Sequence, residues 1–461
     1  MKLKNFLVGI LPVIFCTNLF AQNSLFDNDS LRYKIGQMMV YGFLGGTLPD
    51  HIKNDIINYN IGGFILRSFM NLDYGHDEAR KLIRDLQTNA YIPLLIAIDQ
   101  EPGIYGHLTT YNGFEDTPSA YELGLLSDEQ TTRAIAEKFA GWFQDLGLNT
   151  NLAPVVDLRF VPDNVIGDRS FGVNPDTVIQ NATWFIDEFR KKGLLTTIKH
   201  FPGHGSATED SHVGFTDVSE TWQDIELQPF KSLIDSDLVD IVMTAHIYNT
   251  KFDTIHPATL SYNTITTLLR DSLHYDGVVM SDEMFMSAIY QNYPKKEAIT
   301  LAINAGVDIL LYNREIDYLS SQKRMAPFFV DYVETQVLEG AIPRERIEES
   351  YRRIMKLKQN LNPFTNIENQ FDDVPKNFVL TNYPNPFNSA TIIQYALPEE
   401  STVCIAVHDL LGRKIVEIDT GRQRAGTYFV QFDASNLTSG IYIYQLSANN
   451  FVSSQKMLLV K

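Results

Sequence analysis

Cysteine is nearly missing from this sequence: 461 residues contain two, Cys16 and Cys404. The first 22 residues read as a signal peptide, with Lys2 and Lys4 as a basic start and Phe6 to Phe15 as an apolar run too short to span a bilayer. Phe15 is too bulky for a lipoprotein site at Cys16, so cleavage near Gln22 is expected to leave Cys404 alone. One cysteine makes no intramolecular disulfide and no thiolate metal cluster. Positive charge is also scarce. With 38 Lys and Arg against 56 Asp and Glu, the formal charge of −18 argues against nucleic acid or an anionic membrane as partner. No later run reaches the ~18 apolar residues of a membrane span, so a soluble mature chain without stable membrane insertion is expected. There is no G-x-x-x-x-G-K-[ST] phosphate cradle, no H-E-x-x-H, and no His-x-His where Tyr41, Gly42 and Phe43 end the first strand-like run. No metal site is expected. The rival use of His200, His204, His212 and His246 as ligands has little to build on.

What the chain does contain is enough core for two domains, since 44% of its residues are hydrophobic. Strand-like runs near 35–43, 61–67, 93–100, 148–158, 194–200, 239–246, 277–283 and 307–313 alternate with helix-like segments. The runs are continuously apolar, as in LLIAID and VDIVMTAH, which marks parallel strands covered on both faces. In 128–146, Ile135, Phe139, Trp142, Phe143 and Leu146 form one stripe, with Ser127 and Gln130 as a capping box and Gly147 past the end. The pattern predicts an α/β fold, a closed (β/α)8 barrel of the TIM type, because closure removes both sheet edges. An open doubly wound sheet is the alternative.

A barrel places its chemistry at the C-terminal ends of the strands. Asp99 follows the third strand and Asp157 the fourth. Lys199 and His200 follow the fifth, His246 ends the sixth, and Asp282 and Glu283 end the seventh. The stretch 194–215 is the densest: Lys199, His200, His204, Asp210 and His212 fall among Pro202, Gly203 and Gly205, too polar a loop to be there for packing. A strand-end aspartate such as Asp282 can be a nucleophile, or it can cap the following helix. Glu283 would point the other way. His212 sits two residues after Asp210, close enough for the carboxylate to orient the imidazole as a general acid/base; a surface ion contact is the plainer alternative. Asp99, Arg169, Lys199 and His200 could together hold a polyhydroxylated ligand, although each alone could be an ordinary salt bridge.

After 358 the composition changes. Residues 361–376, with Pro363 and Pro375, read as a linker between a barrel domain at 23–360 and a small all-β sandwich at 377–461. There TIIQYA, TVCIAVHD, TYFVQFD and GIYIYQL are separated by turn signals at Gly412, Gly426 and Gly440.

The motifs IAIDQE, NLAPVVDL, GDRSFG, KHFPGHG and VVMSDE, in this order, closely resemble the catalytic barrel of glycoside hydrolase family 3. The loop ATEDSH resembles its β-N-acetylglucosaminidase branch. The resemblance implies a retaining, two-step mechanism without a cofactor. Asp282 would be the nucleophile, and His212, oriented by Asp210, the general acid/base. Asp99, Arg169, Lys199 and His200 would hold the sugar. One departure stands out: the family usually reads D-Q-E-G-G-R-V-x-R, whereas this chain has D-Q-E-P-G-I-Y-G-H, with Ile104 and His107 in place of both arginines. His107 would then substitute in part as a substrate-binding residue. YPNPFNSAT, DLLGRKI, LTSGIYIYQL and the final MLLVK resemble the type A sorting domain of the type IX secretion system. That implies export through the periplasm and outer membrane, with the secretion machinery as partner, to the medium or the cell surface.

The expected activity is removal of terminal β-linked N-acetylglucosamine from chitin- or peptidoglycan-derived oligosaccharides. A β-glucosidase, a phosphorylase using phosphate in place of water, and a non-catalytic carbohydrate-binding barrel are the alternatives.

Overall fold

The computed structural model describes residues 31–460 except 91, 211–213, 215, 318–322, 360, 362–377, 384, 386, 388, 389, 424 and 435. The signal peptide, His212 and all of the linker but Leu361 lie outside the described residues. The rest forms two compact units, one within Asn28–Gln370 and one within Phe371–Lys461.

The larger unit is a closed barrel of eight parallel strands: β1 (Met39–Tyr41), β2 (Gly63–Ile65), β3 (Leu95–Ile98), β4 (Thr150–Asn151), β5 (Leu195–Phe201), β6 (Ile241–Thr244), β7 (Val278–Glu283) and β8 (Ile309–Tyr312). Each pairs with its sequence neighbours and β8 closes on β1 through Met39↔Leu310 and Tyr41↔Tyr312. All seven residues of β5 are buried, as a parallel strand covered on both sides requires. The eight runs read from sequence are therefore the eight barrel strands. The fourth is much shorter than 148–158, because Pro154 brings no N–H to extend the ladder.

Helices cover the barrel, and α1 (His76–Thr88), α2 (Glu129–Leu146) and α3 (Pro175–Lys191) illustrate how. Phe139 and Phe143 of α2 meet Phe185 and Phe189 of α3 edge-on, at 6.2 and 5.2 Å between ring centres. All four are fully buried, each contributing roughly 1.5–3 kcal/mol. Ile135 and Trp142 lie at the edge of this stripe, only partly buried. Gly147 ends the helix with φ 85°, as read from sequence. The start differs. Asp128, not Ser127, is the N-cap and accepts from the Thr131 N–H at 2.8 Å, while Ser127 ends the preceding helix Ala120–Leu126 in the left-handed conformation. Two helices meet within two residues there, and the carboxylate is the stronger acceptor.

The smaller unit holds β9 (Val379–Tyr383), β10 (Ala390–Leu397), β11 (Ser401–His408), β12 (Lys414–Gln423), β13 (Gly426–Asp433), β14 (Gly440–Ala448) and β15 (Phe451–Leu459). They form antiparallel sheets ordered β9-β10-β13 and β12-β11-β14-β15. Ile393 and Tyr395 from one sheet and Val403, Ile405, Tyr444 and Leu446 from the other share one core, which makes the unit a sandwich. Along β11 buried residues alternate with more exposed ones, Cys404 among the latter.

Candidate active site at the barrel mouth

Two register shifts set the site. β5 pairs with β6 regularly up to Ile198↔Val242 and resumes at Phe201↔Thr244, so Lys199 and His200 fall within the irregularity. β7 pairs with β8 at Met280↔Ile309 and next at Glu283↔Leu311, so the shift falls on Ser281 and Asp282. Irregularities of this kind re-aim side chains at barrel rims.

The loop after β5 is fixed at its base. A Cβ on Gly205 would lie 1.6 Å from the Leu158 carbonyl oxygen, so only glycine fits. Asn164 Nδ2 donates to the carbonyls of Gly205 and Ala207 at 3.1 and 2.9 Å, and Trp222 Nε1 donates to the Pro202 carbonyl at 3.2 Å. The chain returns through Thr216–Asp217, which pairs with Ile247–Tyr248 beyond β6. Between these anchors the Gly214 N–H donates to the Asp210 carbonyl at 3.2 Å.

The predicted residues gather into two buried networks. In the first, Lys199 Nζ donates to Asp99 Oδ1 at 2.8 Å and pairs with Glu101 Oε1 at 2.7 Å. Arg169 grips both Glu101 oxygens at 2.8 Å and also donates to the Val165 carbonyl at 3.2 Å. Burial favours the neutral form of Glu101, but Arg169 and Lys199 outweigh it and hold the carboxyl down at about 2. The same balance, with Lys199 and His107 as the cations, leaves Asp99 below its ordinary value. Asp99 keeps 28% of its side chain exposed, against 2% for Lys199 and Glu101. Only Asp99 still faces outward.

In the second network, Asp157 Oδ2 accepts from His200 Nδ1–H at 2.7 Å and from the His200 backbone N–H at 3.0 Å, and Oδ1 accepts from the His204 N–H at 2.7 Å. Asp157 therefore fixes the ring tautomer and leaves Nε2, 3.5 Å from Arg169 Nη2, for the mouth. His204 packs edge-on to His200 and is pushed down to about 4, first by burial and then by the His200 charge.

His107 is held near Asp99 by its backbone N–H on the Asp99 carbonyl at 3.2 Å. Its ring is kept below the ordinary histidine range by burial, against the pull of Asp99. Asp282 is partly exposed at the end of an otherwise buried strand, and its Oδ1 accepts from the Glu283 N–H at 2.7 Å. It does not cap a helix: Ser287–Tyr290 begins at Met286 without a side-chain cap. Glu283 is buried, accepts from the Phe285 and Asn313 N–H groups, and is pushed up to about 7 by that burial. His246 is tied to the Glu283 carbonyl at 3.0 Å and to Thr259 Oγ1 at 2.8 Å. Among the described residues, no three His, Cys, Asp or Glu side chains gather as ligands for a metal.

Sequence reasoning named Asp157 only as a strand-end acid and overlooked Glu101 and Glu226. Glu101 stands two residues beyond Asp99, the same alternation that brings successive strand residues to one face. No spacing signals Glu226, which reaches the site from the helical turn Asp224–Leu227. A larger cavity of about 710 Å³ lies at the opposite end of the barrel, lined by residues that precede β5, β6 and β7, such as Leu194, Asp240 and Gly277. In this fold that end serves stability, so cavity size does not locate the chemistry.

The protein is thus a TIM-type (β/α)8 barrel whose C-terminal mouth presents one outward carboxylate on each of two strands above a charge-balanced frame. It belongs to glycosyl hydrolase family 3: residues 30–357 match the model of the family's N-terminal domain. Residues 381–461 match the secretion system C-terminal sorting domain. Beta-hexosaminidase A of Pseudoalteromonas piscicida is 33% identical over 344 residues, covering 68% of this chain and 56% of that protein. A beta-hexosaminidase of Tolumonas auensis is 35% identical over 279 residues, 58% of this chain and 80% of the relative. Among solved structures, a family 3 β-N-acetylglucosaminidase from Paenibacillus sp. superposes with a TM-score of 0.67 at 35% identity, over 72% of this chain and 62% of the other. The chain therefore spans little more than half of the Pseudoalteromonas protein and under two thirds of the Paenibacillus one.

Proposed function

We propose that the protein is a secreted, retaining β-N-acetylhexosaminidase that removes terminal β-linked N-acetylglucosamine from chitin- or peptidoglycan-derived oligosaccharides. The observation that carries this reading is Asp282: a carboxylate at the end of a buried strand, outward, and not spent as a helix cap. In the first step its oxygen bonds to the anomeric carbon while the bond to the leaving sugar breaks, and His212 gives its proton to the departing oxygen. In the second step water attacks the same carbon, its proton returns to His212, and Asp282 is released. Asp210 orients His212. Asp99 accepts from sugar hydroxyls, while Lys199, Arg169, His200 and His107 surround the ring; no cofactor enters.

Glu101 and Asp157 act behind them as positioning residues. They hold Lys199, Arg169 and His200 before substrate arrives, so little reorganisation remains for the transition state. The names of the relatives support the sugar, and the sorting-domain match supports export. We assign residues 1–22 to a signal peptide, 23–360 to the catalytic unit, 361–376 to a linker and 377–461 to the sorting unit, which would route the chain across the outer membrane to the surface or the medium.

The test is release of p-nitrophenol from its β-N-acetylglucosaminide and its β-glucoside by the wild type and by Asp282→Asn. The expected result is turnover of the first substrate only, reduced at least ~10³-fold in the variant, on the scale of losing a principal catalytic group. Equal turnover by Asp282→Asn would remove it as nucleophile.

A further inference from the structure

Only Thr208 and Glu209 separate the anchored base of the loop after β5 from Asp210. Whatever fixes residues 203–207 therefore fixes where the proposed acid/base pair begins. Asn164 holds the Gly205 and Ala207 carbonyls, Asp157 holds the His204 N–H, and the Leu158 carbonyl leaves Gly205 no room for a side chain. The Ser206 N–H is met by Glu226 Oε2 at 3.3 Å.

Glu226 is part of a platform beneath the loop. Its other oxygen accepts from the Gln223 N–H at 3.2 Å, half of the capping box that closes the turn Asp224–Leu227. Trp222, just before that turn, donates to the Pro202 carbonyl at 3.2 Å and packs with Val218, Ile247 and Ala258 in an apolar cluster of their own. Ala207 of the loop belongs to the same cluster. A Cβ on Gly203 would lie 2.7 Å from the Glu226 Cβ, so the loop rests directly on this side chain.

Glu226 is 1% exposed, and among the described residues no cation lies within hydrogen-bond distance of it. A carboxyl buried in this way is costly, yet the turn uses only one of its oxygens. The other spans twenty residues of chain to reach the loop. The sugar-binding frame does not pass through this contact. Asp99, Lys199 and Arg169 are tied together through Glu101, and His200 is tied to Asp157. Loss of the Glu226 carboxyl therefore slackens the loop and leaves the frame standing.

We infer that Glu226 is a positioning residue for the proton donor: by fixing the base of the loop, it sets Asp210 and His212 at the glycosidic oxygen. The inference rests on the glycosidase reading and adds to it a group that acts through the loop and not on the sugar. A misplacement of about 1 Å costs on the order of 10²-fold, and here the cost falls only where a proton must move.

The experiment measures kcat/KM of the full chain on two substrates. The leaving alcohol of the β-linked disaccharide of N-acetylglucosamine must be protonated, whereas 2,4-dinitrophenyl β-N-acetylglucosaminide loses its phenolate unaided. Glu226→Ala should lose about 10²-fold on the disaccharide and no more than about threefold on the dinitrophenyl substrate. Glu226→Gln, left with one acceptor oxygen for two N–H groups, should lose about tenfold on the disaccharide alone, and it decides the matter if Glu226→Ala does not fold. On the dinitrophenyl substrate kcat and KM should fall together, because water still needs a base to attack the intermediate; azide, which needs none, should restore kcat. Asp224→Asn, an exposed acid of the same turn, should match the wild type on both substrates. Equal losses on the two substrates in variants whose Tm shows them folded overturn the inference, since general loosening does not distinguish leaving groups. Unchanged cleavage of the disaccharide by both Glu226 variants overturns it as well. Amide hydrogen exchange separates this inference from the catalytic reading. In the folded variants residues 203–207 should exchange about tenfold faster while α2 and α3 keep their wild-type rates, whether or not any substrate is cleaved. Wild-type exchange across 203–207 removes the positioning role even if the enzyme is active.

Discussion

Glu226 offers a pH test of how the loop after β5 is built. Its carboxylate lies beneath that loop, with Oε2 accepting from the Ser206 N–H at 3.3 Å and Oε1 from the Gln223 N–H at 3.2 Å. A Cβ on Gly203 would lie 2.7 Å from the Glu226 Cβ. Burial raises its pKa from 4.5 to about 7, with help from the Asp157 charge, while the Ser206 and Gln223 contacts pull the other way. Between pH 4.5 and 7 the unfolded chain has therefore lost a proton that the native protein still holds, and stability must fall as pH rises. At 1.36 kcal/mol per unit the loss is on the order of 3 kcal/mol, complete by about pH 8. Glu283, likewise raised from 4.5 to about 7 by burial, adds a similar decline in the same window. Trp142, Trp184 and Trp222 all belong to the barrel, so tryptophan fluorescence during urea unfolding reports that unit alone. The Glu226→Gln curve should start lower at pH 5, having lost part of its acceptor pair, and gain about 3 kcal/mol on the wild type by pH 8. Curves that stay parallel over this range would refute the reasoning, because a group ionised in both states gives no slope.

Glu101→Gln should behave in the opposite way. It leaves Lys199 and Arg169 with Asp99 alone, and breaking a buried pair costs about 3–5 kcal/mol. Because Glu101 is held at about 2 instead of 4.5, its contribution is complete above pH 4.5 and fades only as pH falls toward 2. The loss in urea midpoint should therefore be the same at pH 5 and pH 8; an unchanged midpoint would mean that the pair stabilises nothing. Gly205→Ala places a methyl 1.6 Å from a backbone oxygen that cannot swing away, and Tm should drop by several degrees along with turnover. A wild-type Tm would show that the loop base is not rigid.

Period and composition made the barrel legible. Eight continuous apolar runs had one economical closure, and the strand-end rule then pointed to Asp99, Asp157, Lys199, His200, His246 and Asp282 before any contact was known. What the rule could not do was sort them. His246 meets the criterion as well as His200 does, yet its ring is consumed by Thr259 and the Glu283 carbonyl. Arg169 was readable as a donor to sugar but not as the clamp on Glu101, because 68 residues of chain separate the two. The capping box at Ser127 failed for a local reason: two helices compete for one short connection, and a single residue decides which of them is capped.

The carboxylates of the mouth divide by the company they keep, and the division decides what each can do. Asp99 and Glu101 have a cation within hydrogen-bond distance, Asp157 has the His200 ring and two backbone N–H groups, and all three are held below their ordinary range however deeply they are buried. Glu226 and Glu283 have backbone donors but no cation within hydrogen-bond distance, and burial drives them toward the neutral form. Asp282 stands beside Glu283 on the strand. An ionised Glu283 would oppose a negative charge on Asp282, and burial holds Glu283 toward the neutral form below about pH 7. On this argument Glu283 serves the proposed nucleophile by staying protonated. The burial that lowers stability at high pH is then the same burial that keeps Glu283 from opposing a charge on the proposed nucleophile.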